Sequence, residues 1–158
     1  MRKLLLGLAV LGLSCTMGAA HAATAASRPL RSSGSGTVTV VPPAFGGTFH
    51  GTTSGKGTFS GSFVIGSIPP PCPASVPVTD AITLTAANGD IINEDVNGTV
   101  CESSPNNFHE TATYTVTGGT GRYLSATGTG SFISDAYFPN GLTNPGAFSF
   151  SQNGTITY

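Results

Sequence analysis

Charged residues are scarce in this sequence. Of its 158 residues, six are Lys or Arg and seven are Asp or Glu, together 8% of the chain. A nucleic-acid-binding surface needs clustered Lys and Arg to neutralise phosphates, so binding of DNA or RNA is not expected. The Glu and Lys that enrich long helices are equally few, whereas Gly, Thr, Ser and Asn are abundant. This composition excludes an all-helical bundle or coiled coil.

The sequence also lacks an apolar run long enough to cross a membrane. The run at residues 4–13 falls well short of the roughly 20 residues that a membrane helix needs. It follows two basic residues and leads to small residues ending at Ala22, which is typical of a secretory signal peptide over residues 1–22. We therefore expect a secreted or periplasmic protein with no membrane span. Cys15 offers a lipid anchor as an alternative, but it is expected to leave with the signal peptide.

Two cysteines remain after that cleavage, Cys72 and Cys101. An even pair in an exported protein most simply indicates a disulfide bond. Two thiols alone do not suggest a metal site, and a redox pair is more often spaced C-x-x-C. The expected bond would tie the Pro-rich segment 69–73 to the end of a strand.

The remaining chain shows the periodicity of β-strands. Residues 23–36 are rich in Ala, Ser and Gly and are predicted to form a flexible arm, which leaves residues 37–158 as one domain. In that domain apolar residues recur at every second position, as in 78–86, and no helical period occurs. The pattern predicts eight strands, at 37–41, 47–53, 57–66, 78–86, 90–101, 108–117, 127–136 and 146–158.

Eight short strands joined by turn-rich loops indicate an all-β sandwich or a closed antiparallel barrel. Closure removes the exposed edges of a Thr- and Phe-rich sheet. The interior of an eight-stranded barrel is either filled by side chains or holds one small ligand. What fills the interior therefore decides the function.

One turn carries a resemblance to a known family. The motif Gly118-Gly119-Thr120-Gly121-Arg122 follows a Thr-rich strand and precedes an aromatic residue and a Gly-rich strand. With the Asn88-Gly89-Asp90 turn and the closing segment 154–158, it resembles the allene oxide cyclase-like and dirigent-like superfamily.

The resemblance implies an eight-stranded antiparallel, calycin-like barrel with a cavity, no metal or organic cofactor, and in some members a homo-oligomer. Activities in the superfamily include cyclisation of a lipid-derived epoxide and guidance of radical coupling, and many bacterial relatives have no assigned activity. No catalytic residue can be carried over, because the positions do not match in the divergent region 37–66. The glycines of the motif permit backbone angles denied to other residues, and Arg122 is expected to lock the turn.

Asp80 is the main candidate for chemistry, because a carboxylate on an otherwise apolar strand face can have a raised pKa suited to acid–base work. Asp135 is a weaker candidate of the same kind. The alternative for Asp80 is a strand-end residue near the barrel mouth, or the partner of Arg122. Aromatic candidates either line a cavity or form plain core: Tyr114, Phe132, Phe148, Phe150 and Tyr158.

Two other polar groups have surface interpretations. His109 and Glu110 are adjacent in a strand and point to opposite faces, so a solvent-facing pair is expected rather than a catalytic dyad. The acidic residues Asp90, Glu94 and Asp95 suggest a calcium site or, as the preferred alternative, a solvated edge or hairpin.

The leading hypothesis is an exported, non-catalytic module that binds a small hydrophobic molecule or a surface. A cofactor-free cyclase or dirigent-type enzyme, and a structural or inhibitory protein that binds a partner, remain as alternatives. An open apolar cavity with buried carboxylates would favour the enzyme, whereas a barrel filled by its own aromatics would favour the structural protein.

Overall fold

The computed structural model describes residues 25–41, 45–55 and 57–158. The expected signal peptide and Cys15 lie outside the described residues. The described chain forms eight strands and one short 3-10 turn at Gly121–Tyr123. The strands are β1 Ser27–Val40, β2 Gly46–Thr53, β3 Thr58–Ile65, β4 Val76–Thr85, β5 Ile91–Ser104, β6 Asn107–Gly119, β7 Thr127–Tyr137 and β8 Gly146–Thr157.

The strands close into an antiparallel barrel in chain order. Each strand pairs with the next, and β8 returns to pair with β1 over the register Ser27↔Thr157 to Val38↔Gly146. The prediction of an all-β, eight-stranded antiparallel barrel is confirmed. Most predicted strands end within three residues of the observed bounds.

The main difference is at the N-terminal side, where the predicted flexible arm 23–36 is wrong from residue 27 onward. Residues 27–36 form the first part of β1 and hydrogen-bond to β8. Backbone pairing does not need apolar side chains, so a Ser- and Gly-rich segment can form a ladder without showing an apolar period. Gly34 also suits a close approach, since a Cβ there would lie 2.6 Å from the Phe150 ring.

The centre of the barrel is filled by stacked phenylalanine rings. Phe49 and Phe148 stack with centroids 4.7 Å apart, and Phe59 meets Phe150 edge-on at 5.0 Å. Phe132 stacks on Phe150 at 5.6 Å. Each fully buried phenylalanine contributes about 1.5–3 kcal/mol to stability. We call these five rings the phenylalanine plug.

The topology gives the barrel two unlike ends. The loops after β1, β3, β5 and β7 lie at one end, which we call the cavity end, and the loops after β2, β4 and β6 lie at the other, the turn end. The Cys72–Cys101 disulfide is present, as predicted, and ties the β3–β4 loop to β5 at the cavity end. The backbone N–H of Cys72 also donates to the carbonyl of Glu102 at 3.0 Å.

Candidate functional site

A cavity of about 90 Å³ opens at the cavity end, above the phenylalanine plug. Phe49 and Phe148 belong to both the plug and the cavity wall. Half-exposed apolar side chains from three loops surround the mouth: Phe45, Ile68 and Leu142. The wall is apolar except for Asp80, Glu110 and Ser134.

Asp80 and Glu110 form a buried pair of carboxyl groups in this wall, which we call the acid pair. Asp80 is 6% exposed and Glu110 is 5% exposed. The two carboxyl groups lie within hydrogen-bonding reach of each other. Ser134 donates its hydroxyl hydrogen to Glu110 Oε2 at 2.6 Å.

The register explains why side chains from non-adjacent strands meet. Asp80 on β4 is opposite Val96 of β5, and Glu110 on β6 is opposite Val100 of β5. The intervening β5 position on the same face is Gly98, which has no side chain. A Cβ at Gly98 would collide with Ala112 of β6, so glycine lets β5 and β6 pack closely between the two acids.

The surroundings of the acid pair determine how it ionises. Burial, together with the neighbouring Glu110, raises the pKa of Asp80 from 3.8 to about 8. Burial also raises the pKa of Glu110, but hydrogen bonds from Ser134 and Asp80 and the nearby His109 oppose that rise. Because the two carboxyl groups are coupled, their ionisation belongs to the pair and not to either residue alone. Two carboxyl groups in contact share one proton, because two like charges at that distance repel strongly.

The acid pair has unused capacity to accept hydrogen bonds. In the described part of the chain, Asp80 Oδ1 and Glu110 Oε1 have no donor from outside the acid pair. Ser134 supplies one hydrogen and the shared proton another, whereas two carboxyl groups offer about eight acceptor positions. Among the described residues, the cavity wall contains no Lys or Arg.

A second buried acid lies away from the cavity. Glu94 is 1% exposed, and Gln152 donates its side-chain N–H to Glu94 Oε1 at 3.0 Å across the barrel. Burial raises the pKa of Glu94 to about 7, against the opposing hydrogen bond from Gln152. Burial, with the nearby Glu94, raises the pKa of Tyr114 to about 12. None of these three side chains lines the cavity.

The predicted ligand-lining residues divide into three groups. Asp80 and Phe148 line the cavity. Tyr114, Phe132 and Phe150 are buried in the core and do not line the cavity, which corresponds to the core alternative. Tyr158 is at the turn end, where its ring meets Tyr123 at a centroid distance of 4.8 Å.

The family-like motif also lies at the turn end, opposite the cavity. Arg122 Nε lies 3.5 Å from Asp90 Oδ2, so the carboxylate beside it is Asp90 and not Asp80. The Arg122 guanidinium also covers the Tyr123 ring at 4.7 Å. The hydroxyl of Thr120 accepts a hydrogen bond from the backbone N–H of Ile91 at 3.0 Å. These contacts join the β4–β5 and β6–β7 turns, so the motif has a structural role.

The prediction of a solvent-facing His109–Glu110 pair is wrong for Glu110, although the two residues do point to opposite faces and form no dyad. Glu110 points into the barrel, and His109 instead pairs with Asp135 on the outer face, with His109 Nδ1 2.8 Å from Asp135 Oδ1. The signal was present in the alternation, since Glu110 shares its strand face with Ala112 and Tyr114. Ser134 carried no sequence signal.

The same alternation separates the acidic run. Asp90 lies in the β4–β5 turn and accepts a hydrogen bond from Asn88 at 2.9 Å, while Glu94 points inward and Asp95 outward. The three carboxylates therefore do not converge on one cation, and the preferred solvated interpretation fits Asp90 and Asp95 but not the buried Glu94. Nowhere in residues 25–41, 45–55 and 57–158 do three or more His, Cys, Asp or Glu side chains gather as metal ligands.

Within the described chain, no helix has the length and apolar character that a bilayer crossing requires. No protein-family model, curated protein or solved structure matches this chain.

Proposed function

We propose that this chain is an exported binding protein that holds one small, mainly apolar ligand in the cavity at the cavity end. The observation that carries the proposal is an apolar cavity with a buried, under-bonded acid pair in its wall. Apolar concave sites with a few placed polar groups are the usual form of small-molecule sites. The disulfide and the signal-like N-terminal sequence support export to an oxidising compartment.

The size of the cavity limits the ligand. A water molecule needs roughly 10–15 Å³ of such space, so about 90 Å³ corresponds to roughly six to nine water molecules. A ligand with a similar number of non-hydrogen atoms would fill the enclosed space. A longer ligand would extend through the mouth past Phe45, Ile68 and Leu142. The resemblance of residues 118–122 to allene oxide cyclase-like barrels supports a cavity-based function, although that motif lies at the opposite end.

The acid pair favours a second candidate, a cofactor-free enzyme that uses general acid–base catalysis. Asp80 would donate a proton and Glu110 would accept one, both from the same wall of the apolar cavity. Positioning of the substrate in a closed space would supply much of the acceleration. In this candidate, replacement of either acid would abolish turnover while leaving most of the apolar binding intact.

The binding proposal is tested by native mass spectrometry of the protein isolated from its own host. We expect a small molecule to travel with the wild-type protein. Ala136 lines the cavity, so Ala136→Leu should reduce the bound fraction by about tenfold through loss of space. The control is Ala147→Leu, because Ala147 lies on the exposed face of β8 and does not line the cavity. Equal occupancy in the two variants would contradict a ligand in this cavity.

A further inference from the structure

We propose that the ligand's polar group is a protonated amine, held against the carboxyl groups of Asp80 and Glu110 with its apolar part in the cavity. This inference rests on the proposed binding function and names the class of ligand. It is carried by the contact between the two buried acids, by the single side-chain donor outside the pair, Ser134, and by the apolar wall around them.

The first step concerns charge. An acid pair that shares one proton carries one negative charge. No Lys or Arg of the described chain lines the cavity. A buried charge without a counter-ion is unfavourable in a medium of low dielectric constant, so a cationic ligand gains more here than it would at the surface.

The second step concerns hydrogen bonding. Ser134 already donates to Glu110, and the shared proton lies between the acids. Further hydrogen bonds to the acid pair would have to come from a ligand. An ammonium group brings three, an alcohol brings one, and a carboxylate brings none and adds a like charge. For ligands of the same shape, affinity for the acid pair should therefore decrease in the order amine, alcohol, carboxylate.

The third step concerns neighbouring groups that titrate. The titratable side chain that faces the cavity is Asp80 on β4 and Glu110 on β6. His109 of β6 and Asp135 of β7 pair with each other on the outer face. On β5, Asp95 faces outward and Glu94 is bound to Gln152 away from the cavity. The acid pair is thus the titrating unit inside the cavity among the described residues.

Binding should also displace the shared proton. An ammonium group between the acids stabilises both carboxylates. When R–NH₃⁺ binds the singly protonated pair, the product is R–NH₃⁺ bound to two carboxylates, and one H⁺ is released. No bond to carbon is made or broken, and the released proton goes to the buffer. The expected release is between zero and one proton per amine bound at pH 7.

The test compares n-pentylamine, n-pentanol and n-pentanoate by isothermal titration calorimetry at pH 7. Titrations in phosphate and in MOPS, whose ionisation enthalpies differ and which contain no primary amine, measure proton release. We expect n-pentylamine to bind at least tenfold more tightly than n-pentanol, with n-pentanoate weakest. The Asp80→Asn/Glu110→Gln double variant should lose that preference and still bind n-pentanol. Glu94→Gln, which changes a buried acid outside the cavity, should keep the preference.

The possible results separate the two proposals. If n-pentanol binds as tightly as n-pentylamine, or if the double variant keeps the preference, amine recognition is overturned while the binding function stands. If none of the three probes binds the wild-type protein, both proposals fail. If circular dichroism shows that the double variant does not fold, the single variant Asp80→Asn is tested instead. Loss of the amine preference in that variant supports the inference, and retention of the preference overturns it.

Discussion

Ionisation of Glu94 should make this protein less stable as the pH rises. Glu94 is fully buried on β5 and its pKa rises from 4.5 to about 7 in the folded chain. Because the folded chain holds this proton more tightly than the unfolded chain, the stabilising contribution is complete below pH 4.5. It is lost as the pH rises through 7. The rise in pKa corresponds to about 3 kcal/mol of unfolding free energy.

Glu94→Gln isolates that contribution, because glutamine has nearly the same shape and does not ionise. Urea unfolding of the disulfide-bonded protein at pH 4.5, 6 and 8 measures the free energy at each pH. The free energy of unfolding of the wild-type protein should fall across this range, and that of the variant should fall by about 3 kcal/mol less. The fall that remains in the variant comes from Asp80 and Glu110, whose raised pKa values act in the same direction.

The control is Asp95→Asn, which alters the neighbouring residue on the exposed face of β5. It should leave the pH dependence of the wild-type protein unchanged. Stability that increases from pH 4.5 to pH 8, or a Glu94→Gln variant with the wild-type slope, would refute the reasoning that Glu94 is protonated and buried.

Two further predictions concern the ends of the barrel. Replacing Cys72 and Cys101 with serine opens a loop with a sequence separation of 29 and should cost up to about 3.6 kcal/mol of unfolding free energy, without changing the circular dichroism of the strands at low temperature. An unchanged urea midpoint would count against that stabilisation. Gly121→Ala should destabilise by about 2 kcal/mol, because φ is 57° and a Cβ would collide with Asp90. The control Gly89→Ala, with φ 87° and open space around it, should cost about 1 kcal/mol; equal losses would contradict the collision.

The fold could be predicted from the sequence because alternation of apolar and polar residues is a local signal. Strands such as β4 and β6 carry it in consecutive residues. The first part of β1 does not, because Ser and Gly replace the apolar residues and its place is fixed by pairing with β8. A segment of this kind becomes a strand through partners that are distant in sequence.

The candidate site was only half predictable, for a different reason. Alternation placed Asp80 on the inner face, and the same alternation applied to Glu110 and Glu94 would have placed them there too. The assumption that charged residues face water outweighed it. Which aromatics fill the barrel and which line the cavity depends on packing between strands, so Phe148 and Phe150, two residues apart, differ in this respect.

Three of the seven acids in the chain, Asp80, Glu94 and Glu110, lie buried inside one small barrel. An apolar side chain of similar size at these positions would avoid the cost of burying an ionisable group. Glu94 has Gln152 as a partner away from the cavity, so it affects stability and its pH dependence. The acid pair incurs the same kind of cost beside space that a ligand can enter. If the pair is retained for binding, removing its charges should stabilise the empty barrel at pH 8 while abolishing amine preference. A double variant that is less stable than wild type at pH 8 would show instead that the acids support the fold.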